Sequence, residues 1–95
     1  MSFTSRDWTQ QYEAMKKRIQ AKRQAGQFFL AQEFKSVNGA VTILEAQLRT
    51  MQATPMEFEM AASEIARRQV LIENLKKQLV LAGPPTGGEG TGGKI

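Results

Sequence analysis

The stretch QATPMEFEM, residues 52–60, places a proline between two long helical patterns and thereby decides what the chain can become. A helix running straight through Pro55 would lose a backbone hydrogen bond and press the ring against the preceding turn, at a cost of about 3 kcal/mol or more. Pro55 also disfavours helical geometry at Thr54, and the extended geometry that remains is what an N-cap residue needs. Thr54, Pro55 and Glu57 stand at N-cap, N1 and N3, the spacing of a capping box. One helix is therefore expected to end by residue 53 and another to begin at 55, or slightly later with PMEF as a bent lead-in. The chain turns back here, and two apolar stripes can meet inside one molecule.

Upstream of the turn, Leu30, Phe34, Val37, Ala40 or Val41, Leu44, Leu48 and Met51 recur at alternating steps of three and four, which predicts a helix over 28–53. Phe29 and Ile43 widen this stripe beyond a two-position seam, so neighbours are expected on more than one side. Gly39 is carried within the helix as a point where another backbone could approach closely. Downstream, Phe58, Ala61 or Ala62, Ile65, Leu71 with Ile72, Leu75 and Leu79 predict a helix over 55–82, with Lys76 and Lys77 near its negative end and Gly83 as its cap. At the other end of the sequence, Thr4 or Ser5 caps a helix over 5–25, with Asp7 in its first turn. Trp8, Tyr12, Met15 and Ile19 form its stripe, which stops at Lys22 and Gly26.

Three helices of this length with short connections predict an all-α, antiparallel, up-down-up three-helix bundle over residues 1–82. Residues 83–95, GPPTGGEGTGGKI, hold six of the eight glycines and no periodicity, and are expected to be a disordered Gly/Pro-rich tail or linker. A domain of this size is expected to be stable by roughly 5 kcal/mol and to be a monomer.

Chemistry is constrained by what the sequence lacks. It contains no histidine and no cysteine, which removes the usual general bases, nucleophiles and soft metal ligands. No enzyme activity, catalytic residue, metal site, cofactor or small-molecule substrate is expected. The start, MSFTSRDW, lacks the apolar core of a signal peptide, and no run of about 18 apolar residues could span a bilayer, so the fragment is expected to be soluble.

The net charge of +4 resides in residues 1–27, where Arg6, Lys16, Lys17, Arg18, Lys22 and Arg23 face only Asp7 and Glu13. Lys16, Lys17, Arg18 and Arg23 are the candidate partner-binding residues. Lys16, Lys17 and Arg18 point in three directions around a helix, so the leading reading of these charges is a solvated surface, followed by contact with an acidic protein. Nucleic acid is not expected, because no recognition motif accompanies the charges.

The segment LEAQLRTMQATPMEFEMAASEIARRQVLIENLKKQL, residues 44–79, resembles the second and third helices of the N-terminal, Habc-like domain of syntaxin-6-type SNARE proteins. The residues that carry the likeness are Pro55, Phe58, Met60, Glu64, Ile65 and Arg68, with Thr54 where that family usually has Asn. The resemblance implies a regulatory domain in vesicle trafficking and membrane fusion, on the cytosolic face of Golgi or endosomal membranes. It implies protein partners, namely SNAREs and tethering or regulatory factors, and contact with membrane only through an anchor elsewhere in a parent protein. The competing expectations are a self-associating helical, coiled-coil-like adaptor, and a basic first helix that binds anionic lipid or RNA.

Overall fold

The computed structural model describes residues 3–84, and among them it contains helices and turns but no strand. The elements are α1 (Ser5–Gln24), α2 (Ala31–Ala53), a 3-10 turn (Pro55–Phe58) and α3 (Ala62–Leu81). The described residues are thus all-helical, with three long helices packed around one core. Most of the segment expected to be a disordered tail, residues 85–95, lies outside the described residues.

Each end of α1 is closed by a local device. Thr4 accepts a hydrogen bond from the Asp7 amide at 3.0 Å, and the Asp7 carboxylate accepts one from the Thr4 amide at 3.0 Å, which completes a capping box. At the other end the Gln27 amide donates to the Lys22 carbonyl at 2.9 Å and the Gly26 amide to the Arg23 carbonyl at 3.1 Å. This is the Schellman pattern, and it requires the left-handed backbone that Gly26 adopts at φ 68°.

Helix α2 starts at Ala31 rather than at residue 28, and the reason is tertiary. Phe29 is buried, and its amide donates to the Ala82 carbonyl at the end of α3, 2.9 Å away. That bond holds Phe29 against the end of α3, and Leu30 takes extended N-cap geometry with its amide on the Glu33 carboxylate at 3.0 Å. Leu30, expected in the stripe, is consequently 70% exposed, and Phe29 fills the core in its place. Ile43, expected to widen the stripe, is exposed as well. Gly39 has open space around it and no neighbouring backbone. Close approach occurs instead at Gly83, where an added Cβ would lie 3.0 Å from Phe34 Cε1 and 3.2 Å from the Val80 carbonyl. Gly83 therefore does not cap α3 in a left-handed conformation; it is buried because Phe34 leaves no room for a side chain.

The turn after α2 also departs from the expected capping box. The Thr54 hydroxyl donates back to the Thr50 carbonyl at 2.9 Å and does not cap the 3-10 turn. Pro55–Phe58 makes a single 3-10 turn, Glu59 takes left-handed backbone at φ 54°, and α3 begins seven residues later than position 55, with extended Ala61 as its N-cap. Pro55 thus ends the helix, as its missing N–H and fixed φ dictate, while PMEF forms the bent lead-in. A pair of substitutions separates the two threonines. Thr4→Ala is expected to cost about 1 kcal/mol, the usual value of an N-cap, whereas Thr54→Ala should cost less than about 0.5 kcal/mol. Equal losses in urea denaturation would show that the two hydroxyls do the same work.

The core is made by Trp8, Tyr12, Met15 and Ile19 from α1, Val37, Val41, Leu44, Leu48 and Met51 from α2, and Ile65, Ile72, Leu75 and Leu79 from α3. On α3 the apolar positions 65, 72, 75 and 79 share one face at helical spacing. Polar contacts fix how the helices meet along their length. Gln52 donates to Gln69 at 2.9 Å and Lys76 donates to Glu45 at 2.8 Å across α2 and α3. Lys22 pairs with Glu33 at 3.4 Å across α1 and α2, and Arg23 bonds Gln78 across α1 and α3.

Candidate interaction surface

The family-like residues named from sequence come together, whereas the basic ones are spread along the bundle. Glu64, Ile65 and Arg68 gather where the start of α1 meets the start of α3. Arg68 occupies a core-facing position, three residues after Ile65 and four before Ile72, and is only 8% exposed. A buried guanidinium is costly unless its donors and its charge find partners. Its Nε donates to Glu64 Oε2 at 3.0 Å, its NH1 donates to the Ser5 carbonyl at 3.2 Å, and its carbon centre lies 4.9 Å from the centre of the Trp8 ring. Trp8 in turn stacks on Tyr12 at 5.5 Å and donates its indole N–H to the Leu44 carbonyl at 2.8 Å. One cluster thereby ties all three helices together. Beside it Phe58 stacks on Phe3 at 5.1 Å, so the 3-10 turn covers the same end. Thr54, Pro55 and Met60 are half-buried around this turn.

Glu64 also accepts two hydrogen bonds from Arg67, at 2.9 and 3.2 Å. Those bonds, with the one from Arg68, hold its carboxyl below the ordinary glutamate value against the opposing effect of burial. Linkage gives the sign of the consequence. A carboxylate whose folded pKa is depressed stabilises the fold above its unfolded pKa, and that contribution disappears as pH falls through the folded value. Arg67→Ala is therefore expected to lower stability at neutral pH and to approach the wild type as pH falls through the depressed folded value of Glu64, below which the carboxyl is protonated in both. Urea midpoints measured across that range check this, and a gap that persisted at low pH would mean that Arg67 acts through packing.

The basic candidates do not form one patch. Lys16 is half-buried with its ammonium 6.0 Å from the Tyr12 ring centre, and Arg23 reaches Gln78, so both belong to the seam between α1 and α3. Arg18 is exposed and acts electrostatically on Glu33 at the start of α2, while Lys17 is exposed on the outer face. The seam is a shallow groove of about 360 Å³ with Tyr12, Ile19 and Leu75 among its apolar walls and Lys16, Gln20 and Gln78 among its polar ones. Burial and the neighbouring Glu13 charge hold the Tyr12 phenol above its ordinary value, so the ring stays neutral at physiological pH. Tyr12, Ile19 and Leu75 are themselves nearly buried, so the surface the groove presents is chiefly its cationic, amide-rich rim. Among the described residues no group of three acidic side chains could hold a metal ion, and no helix is long and apolar enough to cross a membrane.

Sequence reasoning treated Arg68 as one residue of a family-like motif and did not foresee that it is buried. The signal was present, since an arginine occupies a position between Ile65 and Ile72 where the pattern calls for an apolar residue. Comparison of the chain with protein-family models, with curated proteins and with solved structures finds no match.

Proposed function

We propose that this chain is a non-catalytic regulatory domain of the syntaxin-6 type, an up-down-up bundle that binds tethering factors or SNARE-regulating proteins in vesicle trafficking. The observation that carries the reading is the coincidence of sequence likeness with structural role. Phe58, Glu64, Ile65 and Arg68, which carry the resemblance, lie together at the junction of the turn, α1 and α3. The pairing of Gln52 with Gln69 and of Glu45 with Lys76 supports the antiparallel path of α2 and α3, since one number rises as the other falls. The groove between α1 and α3 supplies the surface for a partner helix. On this reading the domain works on the cytosolic face of Golgi or endosomal membranes.

The test is affinity capture from a cell extract with the immobilised chain, read by mass spectrometry, beside the double variant Lys16→Glu, Arg23→Glu. Tethering subunits or SNAREs should be enriched by the wild type and depleted by the variant. Capture of neither class by a folded wild-type domain would defeat the proposal.

A further inference from the structure

The bundle carries its exposed apolar side chains unevenly. Phe28 is 48% exposed, Leu30 70%, Val80 71% and Leu81 57%, and all four lie at the end where the loop after α1 meets the end of α3. The hydrogen bond from the Phe29 amide to the Ala82 carbonyl places them around one point. Phe28 and Leu30 flank buried Phe29, so the residue between them turns inward while they remain outside. The other large exposed apolar residues, Ile43, Met56 and Val70, sit singly elsewhere.

Charge is distributed in the same sense. At this end stand Lys22, Arg23, Lys35 and Lys77, and the only carboxylate among the first residues of α2 is Glu33, already paired with Lys22. Asp7, Glu57, Glu59 and Glu64 are at the opposite end, around the starts of α1 and α3. Among the described residues Lys22 and Arg23 from the end of α1, Lys35 from α2 and Lys77 from α3 therefore outnumber the one carboxylate near them, which gives this pole a positive charge. Lys77 and Lys76 border Val80 and Leu81 directly, in a shallow depression whose wall is apolar.

We propose that this pole is a docking surface for an anionic lipid bilayer. Partly inserted aromatic and aliphatic side chains with lysines at their edge are what the headgroup boundary accepts: apolar surface enters the acyl region while the cations remain among anionic headgroups. A second copy of the chain is a poorer occupant, because symmetric pairing through this pole would set the same cations against each other. The proposal stands apart from the trafficking reading, since it concerns a different surface from the groove between α1 and α3.

The experiment is flotation of the intact chain with vesicles of phosphatidylcholine, alone or with about one-quarter phosphatidylserine. Binding should require the anionic lipid and weaken with added salt. Phe28→Ser with Leu81→Ser, and separately Lys35→Glu with Lys77→Glu, should each lower partitioning at least about tenfold, whereas Lys17→Glu on the outer face of α1 should lower it less than about threefold. All of these side chains are exposed, and unchanged far-ultraviolet circular dichroism confirms that each variant is folded. The proposal is overturned if the folded wild type fails to float at about 100 mM salt, or if Lys17→Glu weakens binding as much as the paired variants do. It is likewise overturned if the serine variant abolishes a concentration-dependent increase in mass but leaves flotation unchanged, which would assign the pole to a second copy.

Discussion

Replacing Trp8 with alanine should leave the protein largely unfolded at room temperature. The side chain is almost wholly buried, stacks on Tyr12, covers the Arg68 guanidinium and hydrogen-bonds the Leu44 carbonyl. Truncating a buried tryptophan costs about 3–5 kcal/mol, which matches the whole stability expected of a domain this small. Removal of the ring also uncovers one face of Arg68, whose remaining partners are Glu64 and the Ser5 carbonyl. Trp8→Phe separates the contributions. It keeps most of the apolar volume and loses the indole hydrogen bond, at about 1–2 kcal/mol, because Leu44 is in mid-helix and its carbonyl retains its backbone partner. Urea denaturation followed by circular dichroism measures both, and a loss below about 1 kcal/mol for Trp8→Ala would mean that the cluster does not hold the helices together.

Leu44→Ala is the second large effect, expected at about 2–5 kcal/mol, since Leu44 is buried at the middle of α2 with little freedom for the walls to collapse around the gap. Its neighbour provides an internal control. Ile43 has nearly the same volume and stands one residue away, but it is exposed, so Ile43→Ala should change stability by no more than about 0.5 kcal/mol. The contrast tests the orientation of α2 and not merely its existence. Comparable losses at the two positions would place the apolar face of α2 between them, about 50° from where the structure has it.

The stripe of α1, most of that of α2 and the end of α2 before Pro55 were legible because each depends on local physics, namely helical periodicity and the missing N–H of proline. The start of α3 was not. Phe58 stands seven residues before Ile65, so a helical period counts both on one face whether or not the helix is continuous between them. Only the left-handed Glu59 and the stack of Phe58 on Phe3 distinguish the cases, and the second joins residues far apart in sequence. The exchange of Leu30 for Phe29 in the core has the same origin, because periodicity cannot foresee that α3 will offer the Ala82 carbonyl to a loop amide. The candidate surface was harder still. Counting charges along the chain assigned the positive excess to α1, where Lys16 and Arg23 turn out to border one seam and Arg18 and Lys22 another. The cationic pole arises because the end of α1, the start of α2 and the end of α3 come together, and no single segment displays it.

The bond between Phe29 and Ala82 carries one more implication. Loop amide protons ordinarily trade with solvent deuterium within moments, through small local fluctuations. That of Phe29 is shut in by the last turn of α3, so its release should keep time with the peeling of that turn. A residue outside every helix thus serves as a clock for how often this pole of the molecule comes undone.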